Sequence, residues 1–171
     1  MSEAIVTRVI TGDLDDPEQI AEMVRRFYAD VAQDSLLGPM FNDVARVDWS
    51  AHLPKLTAFW CRALLSMPGY EGNPYRAHQL IDAQSPLSVA HFERWLELFA
   101  ETVDLGWVGP KAEQAKALGR KVAEVHCRQI VGKELDASVS TAMLAPHASC
   151  PVRGTQRAVS IHSIVVEPSG A

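Results

Sequence analysis

Apolar residues recur at helical spacing in four stretches of the 171-residue chain. In the first, Ile20, Met23, Val24, Phe27 and Val31 fall on one face, the period of an amphipathic helix. Asp16 can cap its start, Pro17 suits the first helical position, and Glu18 faces the positive end of the helix dipole. The segment DSLLGPMFND, with Gly38-Pro39 as a turn signal, stops it. The second stretch runs from about Asp48 to Ser66, and Trp49, His52, Leu53, Leu56, Phe59, Trp60, Ala63 and Leu64 give it a wide apolar face. Pro54 lies beyond its first turn, removes one backbone bond and should bend it near His52. The third begins after Ser88 and reaches about Asp104, with Phe92, Trp95, Leu96, Phe99 and Val103 as its buried stripe. GWVGP breaks it. Pro110 opens the fourth, which extends to about Val131 with Ala115, Leu118, Val122 and Val125 inward.

Between the second and third helices lies MPGYEGNPYRAHQLIDAQSP. Its prolines and glycines predict a loop with at most one short helix, and so long an irregular segment is usually functional or mobile. No strand pattern occurs in residues 12–131, which read as one all-α domain. From Gly132 the chain turns rich in Ser, Ala and Pro and loses helical period. Residues 132–171 therefore read as a C-terminal extension, partly disordered or loosely packed. Within it, AVSIHSIVV is a candidate short strand or partner-binding segment.

The net charge is −5, from 16 Lys and Arg against 21 Asp and Glu, and 47% of the residues are hydrophobic. That apolar share builds a core and excludes global disorder. Scattered basic residues on an acidic chain argue against nucleic-acid binding. No apolar run reaches the length of a membrane span, and no secretory signal opens the chain, so a cytoplasmic protein is expected. Three cysteines, Cys61, Cys127 and Cys150, are too few and too far apart for a disulfide framework. They read as buried or inert thiols, with Cys150 reactive if exposed. The chain contains no C-x-x-C-H, the motif of covalent haem attachment. It also lacks the Rossmann, P-loop, zincin and nucleophile-elbow motifs. Asp13, Asp15 and Asp16 lack the glycine and terminal glutamate of a calcium loop and are better explained by a helix N-terminus.

Six histidines remain to be weighed. His91, in a first helical turn, and His126, near a helix C-terminus, read as surface or local packing residues. His147 and His162 match no metal spacing. His52 lies on the apolar face of the second helix, one turn from Leu56 and two from Trp60. His78 follows the Pro-rich segment and precedes Leu80-Ile81. Taken singly, His52 reads as a satisfied core imidazole and His78 as a solvated one. Tyr28 and Trp95 read as core aromatics whose O–H and N–H need partners.

Together these residues carry a resemblance. FYADV (27–31), LLGPMF (36–41), DWSAHLPKLTAFW (48–60), GNPYRAHQL (72–80) and HFERWLELFAETV (91–103) resemble a truncated globin, the 2-on-2 helical sandwich, over about residues 12–131. The absence of the glycine pairs that mark other groups makes it most similar to group III. The resemblance implies haem b, held non-covalently, with His78 as the proximal iron ligand. It places Tyr28, His52 and Trp95 on the distal side as ligand-stabilising groups. Phe41 would pack on the porphyrin, with Leu56 and Trp60 lining the pocket. Lys55, and more weakly Arg76, would meet the propionates.

The function implied is reversible binding of O2, NO and CO at an iron with one open position, for carriage or sensing. The alternative is an enzyme, an NO dioxygenase or peroxidase-like protein. It would need a separate reductase, since no flavin or nicotinamide fingerprint is present. A haem-free helical interaction module acting through the extension is the third possibility.

Overall fold

A computed structural model describes residues 12–72 and 74–135. These form five α-helices: α1 (Pro17–Gln33), α2 (Trp49–Leu65), α3 (Pro74–Asp82), α4 (Val89–Gly106) and α5 (Pro110–Val131). A π-helical turn, Met40–Val44, joins α1 to α2. No strand occurs among the described residues, and the fold class is all-α. The helices α1 and α2 pack together, as do α4 and α5, and the two pairs meet through α1 on α4 and α2 on α5. The extension beyond residue 135 lies outside the described residues, as do AVSIHSIVV, Cys150, His147 and His162 within it.

Capping chemistry sets the helix starts. Asp16 accepts the N–H of Glu18 at 2.7 Å to begin α1, and Asp48 accepts those of Ser50 and Ala51 to begin α2. At α4, the N–H of Ser88 donates to His91 Nδ1 at 3.1 Å, so His91 has the local role expected of it. The helix α2 runs unbroken through Pro54. The carbonyl that loses its partner belongs to Ser50, on an exposed stretch that water can reach.

One expectation is met and one is corrected. The segment read as a loop with at most one short helix carries one such helix, α3, nine residues long, and His78 stands on it. Pro74 suits a first helical turn, and the glycines that argued for a loop, Gly69 and Gly72, all precede it. On α5 the buried face is Ala112, Ala115, Gly119, Ala123, His126 and Cys127, while Val125 is 37% exposed. Small residues, not the β-branched ones, mark the inward face because α4 comes very close. A Cβ at Gly119 would lie 2.8 Å from Phe99 Cδ1.

Asp13 is the tie across the fold. It lies before α1 yet caps α5: Oδ1 accepts the N–H of Ala112 at 2.7 Å and Oδ2 that of Lys111 at 2.9 Å. Gly109, at φ +146°, lets the carboxylate approach, because a Cβ there would lie 2.5 Å from Asp13 Cγ. Burial pushes this carboxyl up, but the N–H donors of Lys111, Ala112 and Leu14 outweigh it and hold the pKa below the ordinary value. Loss of such a cap costs about 1–2 kcal/mol. Asp13→Ala should therefore lower the urea midpoint by the equivalent amount, with its m-value unchanged.

Candidate functional site

The core places aromatic rings in two connected groups. Around Tyr28, which is buried, stand Phe41 at 6.0 Å between ring centres, Trp49 at 5.8 Å and His52 at 6.3 Å. Phe41 and Trp49 stack at 5.8 Å. The second group is a stack through the core, Trp95 on Phe99 at 5.3 Å and Phe99 on Trp60 at 4.7 Å. Phe27, fully buried, touches both groups: its ring centre lies 4.6 Å from Tyr28 and 5.2 Å from Trp95.

The indole of Trp95 is placed to donate toward the phenolic oxygen of Tyr28. Indole N–H can only donate, so the phenolic oxygen is the acceptor and its own proton is left to donate elsewhere. Burial pushes the phenol well above its ordinary pKa, and the indole donation offsets only part of that. Tyr28 is thus a neutral O–H across the whole physiological range. His52 is half-buried on α2, and burial, followed by the positive charge of Lys55, holds its pKa below the ordinary value. Its imidazole is neutral at neutral pH. Along α2, Leu53, Leu56 and Phe59 are also half-buried and continue an apolar face from His52, while Trp60 and Leu64 on the flanking edge are fully enclosed.

His78, on α3, is half-buried. Its ring lies 6.3 Å from that of Phe92 on α4 and 4.8 Å from that of His126 on α5. The residues read from the sequence therefore fall in two places. Tyr28, Phe41, His52 and Trp95 meet in one aromatic cluster, with Trp60 in the stack beneath it and Leu56 on the adjoining half-buried face. His78 stands apart on α3, backed by α4 and α5. Lys55 and Arg76 are exposed on α2 and α3 respectively.

An open groove of about 510 Å³ between α1 and α2, lined by Arg25, Leu53, Pro54, Thr57 and Cys61 among others, contains none of these nine residues. Cys61 is enclosed there, and burial, helped by the charge of Asp16, pushes its thiol pKa up. Burial does the same to Cys127. Both thiols stay protonated and weakly nucleophilic, in keeping with the reading of inert thiols.

No family model matches this chain. A group 3 truncated hemoglobin of Campylobacter jejuni is 35% identical to it over 91 residues, which span 52% of this chain and 69% of that protein. The chain belongs to the group III truncated hemoglobins. The crystal structure of the group III truncated hemoglobin from Campylobacter jejuni superposes with a TM-score of 0.60 at 28% identity, covering 67% of this chain and 91% of that one. Membership makes this a haem globin that binds ligands at haem. Among the described residues, no helix of this truncated hemoglobin is long and apolar enough to cross a membrane.

Three residues of the site were not singled out from the sequence. Trp49 completes the cluster around Tyr28, and its signal was its spacing of three from His52 on one helix face. Asp34, only 6% exposed, accepts the N–H groups of Leu36 and Leu37 at 3.0 Å each and Arg94 Nε at 2.8 Å. This ties the end of α1 to α4 and fixes the corner that delivers Phe41. Burial pushes Asp34 up, but these donors prevail and hold its pKa below the ordinary 3.8. Because the folded value is depressed, its contribution is complete above about pH 4 and drains away as the pH falls further. Asp34→Asn should accordingly lower stability at neutral pH and flatten the acid limb of an unfolding curve between pH 4 and 2. An acid limb as steep as the wild type's would exclude that role. His126, the third, was read as surface or local packing, but it is buried and stands beside His78.

Proposed function

We propose that this truncated hemoglobin holds haem b non-covalently, with His78 as the proximal ligand, and reversibly binds O2 and other diatomic ligands such as NO and CO. The residues fit that group. A half-buried imidazole stands on a short helix, a half-buried apolar face runs along α2, and a buried phenol and indole are arranged as donors. When bound, the haem would supply an iron able to take a small ligand. Tyr28 would hold a donor O–H toward that ligand. Trp95 orients Tyr28 by donating to its oxygen, which also makes the phenol a stronger donor. His52, neutral, stands at the edge of the cluster as a second donor or gate. Phe41, Leu56 and Trp60 exclude water, and Lys55 and, more weakly, Arg76 are the exposed cations that would meet the propionates. The observation that carries this reading is the cluster that sets the Tyr28 phenol and the His52 imidazole among the rings of Phe41 and Trp49, with Trp95 linked to it through Phe27.

The same paired donors favour O–O polarisation, so NO dioxygenation or peroxide chemistry with a separate reductase is the second reading. Both readings place the protein in the cytoplasm, with no nucleic-acid or membrane partner.

Absorbance spectra of the hemin-reconstituted chain, with and without dithionite and CO, test haem binding. The expected result is stoichiometric uptake, a five-coordinate ferrous form and a CO complex. NO consumption in air with a chemical reductant then separates the two readings. Turnover identifies the enzyme, and its absence with slow O2 release identifies the binding protein.

A further inference from the structure

The proximal imidazole has a neighbour whose chemistry the site has not yet used. His126 is 7% exposed, and its Nδ1 lies 2.7 Å from the carbonyl oxygen of Val122, one turn back on α5. A carbonyl only accepts, so Nδ1 bears the proton and the neutral ring has a single acceptor, Nε2. The centre of this ring is 4.8 Å from that of His78, with the planes at 42°. Two imidazoles at that separation can bring one nitrogen of each into hydrogen-bond range. An iron-ligating histidine needs a partner for its second nitrogen, because that partner sets ring orientation and the electron density pushed onto the metal.

We propose that His126 is the positioning residue of the proximal side. It accepts the second N–H of His78 through Nε2, with the Val122 carbonyl locking the tautomer that makes this possible. This rests on the reading of His78 as the iron ligand. A neutral imidazole is a softer acceptor than a carboxylate and a stronger one than an amide, so it gives His78 intermediate basicity.

Resonance Raman spectroscopy of the deoxy ferrous, haem-loaded protein reads that basicity directly in the iron–histidine stretching band. The expected order is His126→Leu lowest, His126→Gln close below wild type, and His126→Glu highest. His126→Leu should also lose haem to an excess scavenger faster, by roughly ten- to a hundredfold. A purely packing role predicts faster haem loss without an ordered band shift. If the Leu and Glu variants, folded by circular dichroism, both keep the wild-type band, the proposal is overturned. If the Leu variant does not fold, the Gln and Glu variants decide by the sign of their shifts, and an unshifted Glu band overturns the proposal. The parent variant His78→Ala separates the two levels. Retention of haem there removes the ligand itself, whereas loss of haem there with unmoved His126 bands removes only the pairing.

Discussion

The chain with His78→Ala should take up no stoichiometric haem and show no normal Soret band on titration with hemin. The argument is one of coordination and not of folding. His78 stands half-buried on a nine-residue helix whose neighbouring Leu80 is 60% exposed. Truncating it removes little buried surface, so far-ultraviolet circular dichroism should stay that of the parent chain. What disappears is the nitrogen that holds the iron. His126 is the adjacent imidazole, but its Nδ1 is engaged with the Val122 carbonyl on a long, well-packed helix. A variant of unchanged haem content and unchanged Soret maximum would show that another side chain holds the metal.

The legibility of this fold in its sequence varied with the kind of signal. Periodicity and caps located α1, α2 and α4, because each buries a stripe of large side chains and opens on Asp or Ser, and Pro110 located the start of α5. The helix α3 could be anticipated only as one short helix within a loop, because Gly69, Gly72 and Pro74, strong turn signals, all come before it or at its first position. The inward face of α5 was misread for a different reason. A helix in close contact with another is marked by Ala and Gly, whose hydrophobic signal is weak, so Val125 was expected inside and is outside. Asp13 shows a third limit. Its partners are 98 and 99 residues away, and no local rule reports a cap supplied from another part of the chain.

The candidate site divides along the same line. Tyr28, Phe41, His52 and Trp95 could be named because a family resemblance ties them to motif positions. The roles of Arg94 and His126 come from tertiary contacts that the resemblance did not convey. Arg94 lies within the quoted HFERWLELFAETV segment, yet its contact with Asp34 appears only when α1 and α4 are brought together. His126 read as a surface or local packing residue, and its place beside His78 appears only once α3 is set against α5.

Replacing Tyr28 with Phe should accelerate O2 release on the order of ten- to a hundredfold, because a hydrogen bond to a charged acceptor is worth roughly 1.5–3 kcal/mol. Stopped-flow measurement of the dissociation rate checks it, and an unchanged rate would show that Tyr28 does not hold the ligand. Shape is conserved and the ring contacts to Phe27, Phe41 and Trp49 remain, so the change reports on the hydroxyl alone. Two further features distinguish this mechanism from simple polarity. The phenol is pushed above its ordinary value of 10 by burial, so the wild-type off-rate should be flat from neutral pH to at least pH 9. An exposed tyrosine would begin to lose its proton near the top of that range. Trp95 acts by donating to the Tyr28 oxygen, so Trp95→Phe should raise the off-rate less than Tyr28→Phe does. In the Tyr28→Phe background it should add almost nothing, since the acceptor it serves has gone. Additive effects in that double-mutant cycle would mean that the indole reaches the ligand independently. The two distal donors would then be parallel contacts, not links of one chain.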